Sequence, residues 1–115
     1  MEKDFFKFNC QISPTAKLGS GLVFPHPIGI VIGDGVVIQD DCVIYQNVTL
    51  GQKGNLYPTL ESGCTVYPNA VVIGDIVLRS GTVVGAGAVV TRGTDVLNDV
   101  LAGVPAKSIK RNHTS

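Results

Sequence analysis

Apolar residues recur along this chain every six positions. From Val66 the beat runs Val66, Val72, Leu78, Val84 and Val90 without a slip. Four residues after each of the first four comes a small or aliphatic companion: Ala70, Ile76, Thr82 and Ala88. Upstream, Leu60 keeps the register, the chain jumps ten residues to Leu50, and the beat resumes at Ile44, Ile38 and Ile32. A second jump, of eight residues, leads to Phe24, Leu18 and Ile12. The companion positions hold as well, at Ala16, Leu22, Val36, Cys42, Val48 and Cys64. All thirteen beat positions are apolar. With about half of residues apolar, that arises by chance in roughly one register in 8,000.

A period of six suits neither a heptad helix nor a two-residue alternation. It fits short strands joined by tight turns, three to a coil, with one side chain per hexad pointing into a narrow interior. The expected fold is all-β: a parallel β-helix of about four coils, roughly 20 Å tall at an inter-strand spacing of about 4.8 Å. Residues 11–95 form the helix of one domain spanning 1–115, with an N-terminal segment 1–10 and a C-terminal tail 96–115. Cys42 and Cys64 fall on companion positions, which makes them interior residues and not nucleophiles. The two jumps in the beat are loops thrown out of a corner, where a solenoid carries its function. One contains Phe24-Pro25-His26-Pro27-Ile28-Gly29-Ile30-Val31, the other Leu50-Gly51-Gln52-Lys53-Gly54-Asn55-Leu56-Tyr57-Pro58-Thr59.

Composition narrows the classes. Glycine makes up 14 of the 115 residues, against roughly 7% in ordinary proteins, so many turns are expected. Nine Lys+Arg balance nine Asp+Glu, which gives no basic surface for nucleic acid. The first residues contain no apolar core of a secretory signal, and no run is long enough to span a membrane. Three widely spaced cysteines suggest neither a disulfide framework nor a zinc site. A cytoplasmic protein is the expectation. Phe5, Phe6 and Phe8 are expected to cover the open first coil or a neighbouring subunit.

Little in the chain can do chemistry. Of two histidines, His113 lies three residues from the end in a polar tail. His26 sits between two prolines, each of which favours an extended conformation in the residue before it. One such histidine cannot make a three-histidine metal site, but an imidazole titrates near neutral pH and suits a general base. No phosphate-binding GxxxxGK[ST] loop or GxSxG elbow is present. Val84-Gly85-Ala86-Gly87-Ala88 belongs to the hexad beat and opens no helix.

The hexad run, the segment Pro25-His26-Pro27-Ile28-Gly29-Ile30-Val31-Ile32-Gly33, the stretch Asn47-Val48-Thr49-Leu50-Gly51 and the ending Ala102-Gly103-Val104-Pro105-Ala106 resemble the hexapeptide-repeat acyltransferases. The likeness covers residues from about 10 to 110. It is closest to the catalytic domain of serine acetyltransferases and to O-acetyltransferases of surface polysaccharides. The resemblance implies a left-handed β-helix, a homotrimer, and acetyl-CoA as co-substrate in the groove between neighbouring subunits. It implies His26 as the base that takes a proton from an acceptor hydroxyl as the oxygen attacks the thioester. It implies the pantetheine arm against Gly85 and Ala86, with Gly51 in a matching family segment. Lys107, then Arg92 and Lys110, are the cations to meet the coenzyme's phosphates. No metal is expected.

Three positions depart from serine acetyltransferases. Gln11 stands where their pattern has the histidine's aspartate partner, Pro25 replaces an acidic residue before the histidine, and Tyr57 replaces a second histidine. Gln11 can orient an imidazole but cannot stabilise its cation as a carboxylate does, and Tyr57 is a poor base at neutral pH. The resemblance implies transfer to a hydroxyl of a small acceptor, a sugar of a surface polysaccharide or serine. Transfer to an amino sugar's nitrogen and an inactive solenoid scaffold are the alternatives.

Overall fold

The computed structural model describes residues 9–109. Phe5, Phe6, Phe8, Lys110 and His113 lie outside the described residues. Strands of two or three residues are distributed over three faces. The first face holds β1 (Gln11–Ile12), β3 (Val31–Ile32), β6 (Thr49–Gly51), β9 (Val71–Ile73) and β12 (Val89–Val90). The second holds β2 (Lys17–Leu18), β4 (Val37–Ile38), β7 (Thr59–Leu60) and β10 (Val77–Leu78). The third holds β5 (Val43–Ile44), β8 (Thr65–Val66), β11 (Val83–Val84), β13 (Val100–Ala102) and β14 (Lys107–Ser108).

Pairing is parallel between successive turns, and the register stacks like positions on like. Ile12, Ile32, Leu50, Val72 and Val90 form one column. Ile44, Val66, Val84 and Leu101 form another. Within each short strand one side chain points in and its neighbour out, so every beat residue meets the beat residue of the next turn. From Ile32 to Val90 every beat side chain is buried, each contributing about 1.5–3 kcal/mol. The companions Val36, Cys42, Val48, Cys64, Ala70, Thr82 and Ala88 are also fully buried.

The turns account for the glycine content. At the corner between the second and third faces, Gly21, Asp41, Gly63, Gly81 and Asn98 all have positive φ, from 56° to 76°. Only Gly, Asn and Asp enter this left-handed region readily. Gly29, Asn47, Asn69 and Gly87 play the same part between the third and first faces.

The first face has five strands, so the solenoid makes five turns where the beat suggests about four. The difference lies beyond residue 95. A wide turn at 95–98 delays the next apolar interior residue after Val90 to Leu101, which is only 5% exposed. Thr94 alone continues the second face, its N–H bonded to Val77 O at 3.0 Å. Residues 100–102 thus close the fifth turn instead of forming tail. Beyond them, β14 pairs antiparallel with β13. The connecting turn, with a cis Val104–Pro105 bond, covers the end of the first face: Val89 N–H donates to Gly103 O (3.0 Å) and Ala106 N–H to Val89 O (2.8 Å). At the opposite end no described residue lies beneath the first turn, and Leu18 is 42% exposed.

Candidate functional site

His26 lies in the first insertion, where the chain passes from the third face to the first. Val23 bridges to Val43, Phe24 packs half-buried against the core, and the chain then leaves the stack. The loop is tied down beyond the histidine. Ile28 N–H donates to His26 O at 2.7 Å, and Asn47 N–H of the next turn donates to Ile28 O at 2.9 Å. Gly29 is left-handed (φ 65°), and a Cβ there would run into Asn47 Oδ1. The imidazole is exposed at this corner.

The second insertion leaves the solenoid between the first and second faces. Lys53 and Leu56 form an antiparallel bridge around Gly54 and Asn55, both with positive φ, the conformation of a tight hairpin turn. Gln52 Oε1 accepts from Asn55 N–H at 2.9 Å. The strand returning from this hairpin lays the Tyr57 ring over Gly33 and Gly35 of the turn below. A Cβ on Gly33 would come within 2.6 Å of Tyr57 Cε1, and one on Gly35 would strike the ring as well. Between these glycines, Asp34 accepts from Ser13 Oγ at 2.5 Å. Gln11, Ser13, Val31, Gly33 and Asp34 line a groove of about 390 Å³.

These placements sort the candidate residues into two groups. His26, Gly85, Ala86 and Lys107 lie along the corner between the third and first faces. Gly85 directly follows β11, and Lys107 pairs with Ala102. Tyr57, Gly51 and Arg92 lie toward the opposite edge of the first face, where the chain leaves β6 and β12 for the second. Gln11 is exposed on the first face itself, paired with Val31. One copy of the chain therefore does not bring His26 and Tyr57 together. Gly51 meets no steric demand, since a Cβ there would find only ordinary contacts at 3.6 Å or more.

Cys42 and Cys64 stack in register inside the solenoid, both fully buried. Their thiols donate to Glu61 O and Arg79 O, each at 3.3 Å. The neighbouring Cys64 thiol draws the Cys42 pKa down to about 7, while the same contact and burial push that of Cys64 up. Neither thiol reaches the surface, in keeping with interior roles. Among the described residues no cluster of His, Cys, Asp and Glu could hold a metal ion, and no helix is long and apolar enough to cross a membrane.

Two residues of this corner escaped the reading of the sequence. Tyr45 and Tyr67 stack with ring centroids 5.1 Å apart and planes 13° from parallel. Their signal was present: each directly follows a beat residue, Ile44 or Val66, and so occupies the same place in its turn.

Residues 57–92 match the family model of the bacterial transferase hexapeptide (six repeats). The chain is 39% identical over 109 residues to the serine acetyltransferase of Buchnera aphidicola subsp. Schizaphis graminum, an alignment covering 90% of this chain and 41% of that protein. It is 40% identical over 107 residues to the serine acetyltransferase of Synechococcus elongatus, covering 89% and 43%. Among solved structures it is similar to a serine acetyltransferase in complex with CoA, with a TM-score of 0.87 and 33% identity over 94% of this chain and 45% of that one. The serine acetyltransferase of Vibrio cholerae gives 0.81 and 36% over 84% and 39%. The chain thus spans about two fifths of the length of the relatives it matches.

Proposed function

We propose that this hexapeptide-repeat solenoid transfers the acetyl group of acetyl-CoA to a hydroxyl of a small acceptor, with His26 as general base. The observation that carries this reading is the shared corner: His26 stands on the same edge as Gly85, Ala86 and Lys107, in a fold that superposes on a CoA-bound serine acetyltransferase. The imidazole takes the acceptor's proton as its oxygen attacks the thioester carbonyl. The oxyanion collapses, the C–S bond breaks, and the imidazolium returns the proton to the departing thiolate. A backbone N–H from a turn at this corner would stabilise the oxyanion. No acyl-cysteine is required, consistent with buried thiols.

Serine is the first acceptor to test, because it names the relatives' activity. A neutral sugar hydroxyl is the second. What favours it is the second insertion, whose one charged side chain is Lys53 and whose Leu56 is 52% exposed. Tyr57 joins His26 only if copies associate, with the His26 edge of one chain against the Tyr57 edge of the next. A homotrimer would do this, and the uncharged, half-buried outward residues Val31, Thr49, Val71 and Val89 of the first face support it. A cytoplasmic location goes with acetyl-CoA as co-substrate.

The deciding experiment is calorimetry with acetyl-CoA on the wild type and on Ala86→Trp, followed by a thiol-release assay with serine and with simple pyranosides. Binding in the wild type that Ala86→Trp abolishes, with acceptor-dependent release of CoA, is the expected result. A wild type that binds no acetyl-CoA would leave a scaffold, and the enzyme reading would fall.

A further inference from the structure

The groove at the start of the first face holds one charged side chain, and it is an anion. Gln11 and Ser13 line it from the first turn, Val31, Gly33 and Asp34 from the second. The carboxylate is held in place. Ser13 Oγ accepts from Thr15 N–H at 3.2 Å and donates to Asp34 Oδ1 at 2.5 Å, while Thr15 Oγ1 donates to Asp34 O at 3.0 Å. Among the described residues Oδ2 has no partner and Asp34 joins no ion pair. A carboxylate only accepts hydrogen bonds, so this oxygen takes a donor from a ligand and repels an anion.

Height along the solenoid ties this groove to the reaction. His26 and Asp34 bracket the same first-face strand, β3, one before it and one after. They stand at opposite edges of one turn, with the Tyr57 ring over Gly33 and Gly35 on either side of Asp34. Where the His26 edge of one copy meets the Tyr57 edge of the next at equal height, an acceptor reached by His26 lies against Asp34. Lys53, the one cation of the second insertion, sits elsewhere. A Cβ on Gly74 would stand 3.5 Å from Lys53 Cβ, and Gly74 follows β9, two turns from β3 and so about 10 Å along the axis. We propose that Asp34, held by Ser13, selects the acceptor by taking hydroxyls of a neutral, polyhydroxylated molecule such as a pyranoside. Serine can offer Asp34 its ammonium, but its carboxylate would then stand in a groove without a cation. The assignment rests on the acetyl-transfer reading and names a residue that chooses among its acceptors.

Saturation-transfer NMR on the full chain would measure binding of serine and of methyl gluco-, galacto- and mannopyranosides, followed by acceptor kinetics at saturating acetyl-CoA. At least one pyranoside is expected to bind more tightly than serine. Asp34→Asn, which keeps the size of the side chain, should weaken that pyranoside about tenfold or more, the scale of a hydrogen bond to a charged group. The loss should fall on KM for the pyranoside, with acetyl-CoA affinity unchanged by calorimetry. Ser13→Ala, which lets the carboxylate turn, gives a smaller loss in the same direction. Asp34→Arg inverts the preference, weakening the pyranoside and lowering KM for serine. A wild type that prefers serine or binds no pyranoside overturns the assignment, as does an Asp34→Asn variant with unaltered pyranoside affinity or an equal loss of acetyl-CoA. In each case acetyl-CoA binding by the wild type keeps the acetyltransferase reading standing. A wild type that binds neither the pyranosides nor acetyl-CoA overturns both.

Discussion

The two insertions interrupt the same repeat and are anchored in different ways. The first keeps His26 exposed and holds the backbone around it, through flanking prolines and the Asn47–Ile28 hydrogen bond. The second folds its functional candidate back onto the solenoid, with the Tyr57 ring across Gly33 and Gly35. One loop presents a reactive group and the other is held by packing. Substitutions at His26 should therefore register in chemistry and leave stability alone, whereas substitutions around Tyr57 should register in stability first.

The largest effect is expected at His26. His26→Ala should lower the rate of acetyl transfer by about 10²–10⁴-fold, with a melting temperature matching the wild type; unchanged turnover would remove the base from the mechanism. Next comes Gly35→Ala, which drives a methyl into the Tyr57 ring and should cost about 1–3 kcal/mol in denaturant unfolding. Combining it with Tyr57→Ala should cost less than the sum of the two, and simple additivity would mean that the ring and the glycine do not depend on each other. Pro27→Ala should cost less, about 0.4–1 kcal/mol, because it frees the unfolded chain without touching the core. The smallest is Tyr57→Phe. It keeps the ring and should fall within about 0.5 kcal/mol of wild type, so a larger loss would show that the hydroxyl, not the packing, holds this loop.

The repeat was legible because burial is periodic: a hexad beat needs no knowledge of distant contacts, and the positions from Ile32 to Val90 follow it. The fifth turn was hidden by local chemistry. Asp99, 1% exposed, occupies a companion position where an apolar residue is expected, and its carboxylate is satisfied by Ser108 Oγ and Val100 N–H. No periodic reading finds an interior residue whose burial depends on a partner nine positions away. The place of His26 in an exposed insertion was legible to a similar depth. His26 stood out as the histidine of an insertion. That Tyr57 rests on glycines more than twenty residues earlier, and at the far edge of the face from His26, depends on how turns stack. The Tyr45–Tyr67 column was in reach, because register turns a shared place in the hexad into a contact.

The hairpin that ends the described chain also bears on how copies can meet. A solenoid with bare ends could add a second molecule as though it were another turn and grow into a filament. Here Gly103 and Ala106 occupy the backbone groups of Val89, and β14 runs against β13 in the opposite sense. An incoming first turn would find no free parallel edge at either place. The hairpin thus closes the first and third faces of this end against a further parallel turn.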